Sequence, residues 1–299
     1  MIDICRISKS FGDVEALKDF TIKINSGSIF GLVGSNGSGK STLLRILSGV
    51  YLTDKGIVKF DDVNIFDNEA TKGLTTFVSD FPYFTNSETL ESASHMYKLL
   101  YPNWSDEKFK EISAMFPIDA KKRVINMSKG MQRQVALILA LSTQPKYLFL
   151  DEIFDGLDPV VRQLVKKLII SEVAENEMTV IIASHNLREL EDFCDHIGFL
   201  HKGGVLLEKD IDDLKLDLHR IQIAFEKPLP ENALKGLDIV SNKLSGKVYT
   251  LVVRGDLDKA LDALKVYKPI YHETLPLTLE EIFISEMEVA GYDINNILG

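Results

Sequence analysis

A glycine-rich segment near the N-terminus has residue types and a spacing that bind phosphate. The segment matches the pattern G-x-x-x-x-G-K-[ST] at every fixed position. Its residues are Gly34, Ser35, Asn36, Gly37, Ser38, Gly39, Lys40, Ser41 and Thr42. In this pattern backbone N–H groups face the phosphates, Lys40 adds positive charge for the outer phosphates, and the Ser41 hydroxyl is placed to ligate Mg²⁺. A chance glycine-rich turn is the alternative, and the complete match favours a nucleotide phosphate site.

Two acidic residues follow an apolar run in the middle of the chain. Residues 147–150 are typical of a buried strand, and Asp151 and Glu152 come directly after them. In open parallel sheets, ligands bind beyond the C-terminal ends of the strands. We therefore predict that Asp151 holds Mg²⁺, directly or through water, and that Glu152 orients or deprotonates an attacking water. An acidic pair that only solvates a strand end is the alternative.

A single histidine follows another apolar run. Residues 179–184 predict a strand that ends at His185. A lone histidine is often a structural residue with satisfied hydrogen bonds. This one lies at the same predicted sheet edge as Asp151 and Glu152, where it can donate a hydrogen bond to a γ-phosphate, and we predict that role for it.

Local patterns also predict the elements that position these groups. Residues 29–33 are apolar and precede the glycine-rich segment as a buried strand would, and residues 41–47 are typical of a helix start. A strand, a glycine loop and a helix N-terminus together direct backbone N–H groups at one anion. Residues 3–8 and 20–24 alternate in polarity and predict half-exposed strands.

A segment between the phosphate loop and the acidic pair has a distinctive pattern. Residues 126–134 resemble the signature loop of ABC-type ATPases, which normally reads Leu-Ser-Gly-Gly-Gln, although only Ser128 and Gly130 are kept. The resemblance implies that Ser128, Lys129 and Gly130 contact the γ-phosphate of ATP. Residues 131–142 predict an apolar helix whose positive N-terminal end suits an anion. Ser128 can also be an ordinary N-cap of this helix, and the two roles do not exclude each other.

Three further positions resemble this family. Phe11 stands where the family has an aromatic residue that stacks on adenine, and Asp158 lies in the loop that crosses to a second subunit. Asp80 occupies the place of a glutamine, and the resemblance implies that it holds Mg²⁺ or water despite its shorter reach. The resemblance extends over residues 1–208.

The fold class implied by the resemblance is α/β. It comprises a P-loop NTPase core with a parallel sheet, a small antiparallel β subdomain, and a helical subdomain at about residues 82–130 whose groove receives a short helix of a membrane subunit. We place the ATPase domain at residues 1–208. Residues 209–299 form a separate accessory domain in this interpretation, a small α+β C-terminal appendage.

Residue patterns in the appendage predict strands and helices but contain no catalytic or ligand-binding motif. Strands are predicted at residues 218–225 and 248–253, and helices at residues 257–264 and 279–289. None of these segments contains a motif that indicates a reaction. Dimerisation, regulation and a covering role for the core all remain open for this domain.

Composition limits the classes of function. The chain has 299 residues, 45% of them hydrophobic, and a formal net charge of -10, which disfavours a general nucleic-acid binder because phosphate contacts need clustered cations. No apolar run approaches the roughly 20 residues that span a bilayer. Two distant cysteines, Cys5 and Cys194, favour a reducing compartment. Composition therefore favours a cytoplasmic protein, and the resemblance implies that it is peripheral on the inner face of the cell membrane through a permease partner.

The resemblance implies the ATP-binding and ATP-hydrolysing subunit of a bacterial ABC transporter, with export favoured over import. ATP and Mg²⁺ are the expected ligands. The expected partners are transmembrane permease subunits and a second ATPase subunit, identical or paralogous, with no nucleic acid. A soluble ABC-type ATPase that acts on the ribosome or on DNA is the alternative, and a P-loop kinase or GTPase is a third interpretation.

Overall fold

The computed structural model describes residues 1–66, 68–230 and 233–289. The chain forms two compact units, Met1–Glu208 and Lys209–Gly299. Each unit has a sheet core of its own, so each is described by itself.

The first unit alternates strands and helices along most of its length. In chain order the elements are β1 (Ile2–Phe11), β2 (Val14–Ile24), β3 (Ile29–Val33), α1 (Lys40–Leu47), β4 (Lys55–Phe60), β5 (Val63–Asn64), α2 (Glu69–Gly73), β6 (Thr75–Val78), α3 (Leu90–Leu100), α4 (Asp106–Met115), a 3₁₀ turn (Val124–Asn126), α5 (Lys129–Ser142), β7 (Tyr147–Asp151), α6 (Pro159–Asn176), β8 (Thr179–Ser184), α7 (Leu187–Leu190), β9 (His196–His201) and β10 (Gly204–Asp210). The strands belong to two sheets.

The larger sheet brings the predicted chemical groups to one edge. Its strand order is β10-β9-β3-β8-β7-β6, and the neighbours from β9 to β6 are parallel. Val33 at the end of β3 is paired with Ser184 at the end of β8, and Asp151 at the end of β7 is paired with Ala183. The glycine loop, Glu152 and His185 therefore leave the sheet at the same edge.

The smaller sheet is antiparallel, with the order β2-β1-β4-β5. Its inward side chains share one hydrophobic cluster with α1 and the parallel sheet, and Phe60 packs on Tyr147 of β7 with ring centroids 4.7 Å apart. This shared core stabilises both sheets by removing apolar surface from water. The parallel core and the antiparallel sheet confirm the predicted α/β fold.

The helices α3 and α4 lie within the range predicted as a helical subdomain. Thr89 and Ser92 form a reciprocal capping box at the start of α3, and Ser105 caps α4. Lys108 of α4 lies 2.5 Å from the buried carboxylate of Glu172 on α6. This ion pair ties α4 to the helix that follows the acidic pair.

The second unit is α+β. It contains α8 (Ile211–Asp217), β11 (Leu218–Ala224), β12 (Asp238–Ser245), β13 (Val248–Arg254), α9 (Leu257–Lys265), β14 (Tyr271–Leu275) and α10 (Leu279–Val289). The four strands form an antiparallel sheet in the order β12-β13-β11-β14, and α9 covers a small core of β11 and β13 side chains. The strands β11 and β13 and the helices α9 and α10 lie where they were predicted, whereas β12 and β14 were not predicted.

Bilayer-spanning helices are absent from the described residues, because none of their helices combines sufficient length with sufficient hydrophobicity.

Candidate nucleotide site

Glycine is required at two places in the loop between β3 and α1. A Cβ on Gly34 would lie 2.4 Å from the Leu200 carbonyl oxygen, and a Cβ on Gly39 would lie 2.6 Å from that of Ala16. Gly39 also has a φ of +109°, which disfavours other residues. Gly39 is the N-cap of α1, and no side chain hydrogen-bonds the helix start. The first N–H groups of α1 therefore remain available to an anion.

The Lys40 ammonium is held inside this loop. The side chain is buried, and Nζ donates to the carbonyl oxygens of Gly34 at 2.6 Å and Ser35 at 3.3 Å. Nζ also lies 3.8 Å from Oε1 of Glu152. Burial lowers the pKa of Lys40, while the Glu152 and Asp151 charges oppose that shift. The cation is thus in place for phosphate oxygens, which would bind it more strongly than neutral carbonyls do.

Asp151 has the features of a metal ligand. The residue is buried, and its Oδ1 atom has no hydrogen-bond partner. Burial raises the pKa of Asp151, whereas a hydrogen bond from Ser41 and the charge of Arg45 lower it. A buried carboxylate oxygen without a partner is costly unless something completes it. A carboxylate beside a hydroxyl is the oxygen ligand set that Mg²⁺ prefers, so these residues fit the predicted metal.

Glu152 lies between a cation and a histidine. Its backbone has a φ of +48°, and its N–H donates to the Ala183 carbonyl at 3.0 Å. Its Oε2 atom is 2.9 Å from Nδ1 of His185, whose side chain is half exposed. Burial raises the pKa of Glu152, and the charges of His185 and Lys40 oppose that shift. A carboxylate with a raised pKa accepts a proton more readily, as a general base must.

Asp155 is a further acidic residue of the site that was not predicted from the sequence, and it lies beside Glu152 and His185. Carboxylate or ring-nitrogen atoms of Glu152, Asp155 and His185 all lie within 4.8 Å of one another. Asp155 is in the loop that leads to α6, where Asp158 caps the helix by accepting from the Val160 and Val161 N–H groups at 3.0 Å each. The negative charge at this sheet edge is therefore greater than the acidic pair alone suggested.

The segment that resembles the signature loop forms the start of α5. Ser128 is its N-cap and accepts from the Met131 N–H at 3.2 Å, so the capping role is confirmed. A Cβ on Gly130 would lie 2.4 Å from the Gly156 carbonyl oxygen, which explains the glycine by close packing. Lys129 is exposed, and its Nζ lies 5.5 Å from the centre of the Phe81 ring. Gly130 therefore packs on the loop after Glu152, whereas Lys129 lies against the loop after β6.

The remaining two predicted site residues differ in their surroundings. Phe11 is 44% exposed at the end of β1 and packs edge-on against Tyr51, with ring centroids 5.3 Å apart. The Asp80 carboxylate is paired with Arg133, and its charge contributes to the raised pKa of Asp151. Asp80 is thus within electrostatic reach of Asp151 but already has a cationic partner, Arg133, that sequence reasoning missed.

Comparison with known proteins gives the family. Residues 17–155 match the profile described as ABC transporter. The ABC transporter ATP-binding protein YtrB of Bacillus subtilis is 31% identical over 286 residues, which cover 96% of this chain and 98% of YtrB. This chain belongs to the ABC transporter ATP-binding proteins. The lantibiotic transport ATP-binding protein SrtF of Streptococcus pyogenes, another relative, is 31% identical over 76% of this chain and 99% of its own length.

A solved ABC cassette has the same fold. A dimeric ATP-binding cassette in a post-hydrolysis state, bound to ADP and Pi, superposes with a TM-score of 0.63 at 22% identity. The match covers 71% of this chain and 99% of the cassette. Membership of the ABC family confirms the predicted ATP-binding and ATP-hydrolysing transporter subunit.

Proposed function

We propose that this ABC subunit binds ATP with Mg²⁺ at the loop of residues 34–42 and hydrolyses it within a head-to-tail dimer. The observation that supports this most is the buried Asp151 carboxylate, whose Oδ1 atom lacks a partner. The residue lies at the end of β7, beside the phosphate loop. A bound cation would be a partner for this oxygen atom and would offset the free-energy cost of burying the carboxylate charge.

The phosphate loop binds the triphosphate through its backbone N–H groups and the positive charge of Lys40. N–H groups from Gly34 to Thr42 face the phosphates, and Lys40 exchanges its two carbonyl contacts for phosphate oxygens. Phe11 stacks on the adenine ring, since its side chain is exposed at the end of a strand. Such stacking contributes about 1–3 kcal/mol for nucleic-acid bases.

Ser41 and Asp151 would hold Mg²⁺, and Asp80 lies within electrostatic reach of Asp151. An ion held there would supply positive charge to the phosphates during phosphoryl transfer. Asp151 must be ionised for this role, and the Ser41 hydrogen bond and nearby Lys40 and Arg45 charges favour that state.

Glu152 and His185 act on the side of the γ-phosphate from which the water molecule attacks. Glu152 orients a water molecule and accepts its proton, for which its raised pKa and its fixed contact with His185 suit it. His185 donates a hydrogen bond to the γ-phosphate while its Nδ1 contacts Glu152. This contribution is chiefly positioning and charge stabilisation.

A second subunit would complete each site. Ser128, Lys129 and Gly130 serve the γ-phosphate bound to the other chain, because the start of α5 presents a helix N-terminus and an exposed cation. Asp158, at the start of α6, lies in the loop that crosses to that chain. In this arrangement one chain contributes two different half-sites, and a monomer hydrolyses ATP slowly.

The permease would dock at a groove on the helical segment. The groove has a volume of about 580 Å³ and is lined partly by Pro82, Tyr83, Phe84, Met96 and Tyr97. Apolar side chains with one exposed aromatic suit an amphipathic helix. Docking there would keep the subunit on the cytoplasmic face of the membrane.

Because the relative SrtF is named for lantibiotic transport, we propose export of a peptide-like or antibiotic cargo.

The test uses the Glu152→Gln variant with ATP and Mg²⁺, which should hold the closed dimer. Sedimentation should show ATP-dependent dimers, and affinity capture from detergent-solubilised membranes should recover a polytopic membrane protein. The matched control is Tyr83→Ser in the same background, which should dimerise but recover less permease. Recovery of ribosomes or DNA complexes without a membrane protein would support the soluble alternative.

A further inference from the structure

Arg133 contacts two loops that the proposed mechanism uses separately. This side chain on α5 is buried, with 6% of its surface exposed. Its guanidinium pairs with the Asp80 carboxylate and donates from Nε to the Asp80 carbonyl at 3.2 Å. It also donates from NH1 to the Asp155 carbonyl. One planar group thus joins the loop after β6 to the loop after Glu152.

The first turn of α5 strengthens the same junction. Lys129 lies four residues before Arg133 and therefore on the same helix face. Its Nζ contacts the Phe81 ring, next to Asp80, at 5.5 Å from the ring centre. On the other side, Gly130 packs so closely on the Gly156 carbonyl that a Cβ could not fit. The start of α5 is held between the two loops.

We infer that Arg133 is a positioning residue that couples the loop of Asp80 and the loop after Glu152 to the start of α5. The inference rests on the proposed function, in which these loops face the metal, the attacking water and the partner subunit. Arginine suits the role because its planar fork directs N–H groups from separate nitrogen atoms to acceptors on both loops, whereas a lysine donates from one nitrogen only. The pairing also accounts for aspartate at position 80, since a carboxylate neutralises the buried guanidinium.

The coupling has an electrostatic consequence. Arg133 is buried and Asp80 is partly buried, so each charge depends on the other for its partner. Removing Arg133 therefore leaves the Asp80 carboxylate without its cationic partner. The arrangement makes the positions of both loops and the charge balance at Asp80 depend on the same side chain.

Three variants, each measured in the absence of nucleotide, test whether Arg133 positions the two loops. A nitroxide at Tyr83→Cys in a Cys5→Ser background reports the Asp80 loop, and amide exchange of Asp155 and Leu157 reports the other loop. Arg133→Met should mobilise the nitroxide and raise amide exchange by about tenfold or more, because buried charged hydrogen bonds are lost. Asp80→Ala should mobilise only the nitroxide. Arg220→Met should change neither readout, since it removes a comparable contact with Glu281 in the second unit.

Kinetics then separate positioning from a merely structural role. For Arg133→Met we expect kcat to fall about tenfold while KM for ATP stays within about twofold, because the phosphate loop is untouched. Arg133→Lys should recover only part of the loss. Unchanged loop readouts in Arg133→Met, or an equal rise of exchange throughout the first unit, would overturn the inference. The loop readouts need no turnover, so an inactive wild-type protein would count against the proposed function alone.

Discussion

Two half-sites on the same unit differ in how completely their polar groups are satisfied. At the phosphate loop, the Oδ1 atom of Asp151 and the hydroxyl of Ser38 are buried without hydrogen-bond partners. At the starts of α5 and α6, by contrast, the Ser128 hydroxyl and the Asp158 carboxylate each cap a helix. Buried polar atoms are rarely left without partners, so the first half-site is built for a ligand within its own chain.

The capping groups of the second half-site have hydrogen-bond partners within the chain. They stabilise the chain first, and in the proposed dimer they would approach a phosphate only through their outward surface. The difference implies that changes at the phosphate loop alter ATP binding or turnover in the single chain. Changes at the start of α5 should instead alter stability and dimerisation.

The largest effect should come from Glu152→Gln. Replacement of the carboxylate by a neutral amide of the same shape should lower steady-state turnover by about a thousandfold, the scale of general base catalysis. ATP affinity should be retained, because the phosphate contacts do not involve this side chain. Asp155→Asn is the matched control, since it removes a neighbouring charge, and it should keep most activity. Near-normal hydrolysis by Glu152→Gln would remove Glu152 from the role of base.

Lys40→Met should mainly weaken ATP binding. Loss of a buried cation from the phosphates should raise the dissociation constant by about a hundredfold, as expected for charged hydrogen bonds. Calorimetric titration of the single chain measures this directly. Lys18→Met, at an exposed lysine, should bind ATP normally. Equal affinities for the two variants would contradict the phosphate-loop assignment.

Ser128→Ala should sharpen the contrast between the half-sites. Loss of the N-cap should lower the free energy of unfolding by about 1 kcal/mol. Ser105→Ala removes the N-cap of α4 and should cost a similar amount. Only Ser128→Ala should also weaken ATP-dependent dimerisation, measured by sedimentation in the Glu152→Gln background. If both variants dimerise equally well, Ser128 is a cap and nothing more.

Asp151→Asn should produce the smallest effect, a gain in stability. Replacing a buried charge should raise the free energy of unfolding of the ligand-free chain by about 0.5 kcal/mol at neutral pH. Burial raises the pKa of Asp151, so its charge is costly above that pKa and the cost disappears as the carboxyl protonates. The gain should therefore shrink as the pH falls. Denaturant unfolding at several pH values checks this, and a stability loss at neutral pH would contradict it.

The sequence was sufficient where a local pattern determines the local structure. The strand, glycine loop and helix around Lys40 lie as predicted, and so does Ser128 at the start of its helix. His185 contacts Glu152 because both follow parallel strands, which a strand pattern predicts. These features depend on a few consecutive residues and on one rule about sheet edges.

Contacts between distant segments could not be predicted in the same way. Arg133 lies in an apolar helix, and nothing near it in the sequence indicates that its partners are Asp80 and Asp155. The strands β12 and β14 are mostly exposed and lack a clear apolar alternation. Their conformation depends on pairing with β13 and β11, which are the better-defined strands.

The left-handed backbone at Glu152 sets folding against function at one position. A φ of +48° suits glycine, and a side chain held there costs of order 1–3 kcal/mol. Glu152→Gly would relax the backbone and also remove a partly buried carboxylate. A laboratory selection for heat resistance alone would therefore favour the loss of this glutamate, and the survivors would be robust proteins that no longer drive transport.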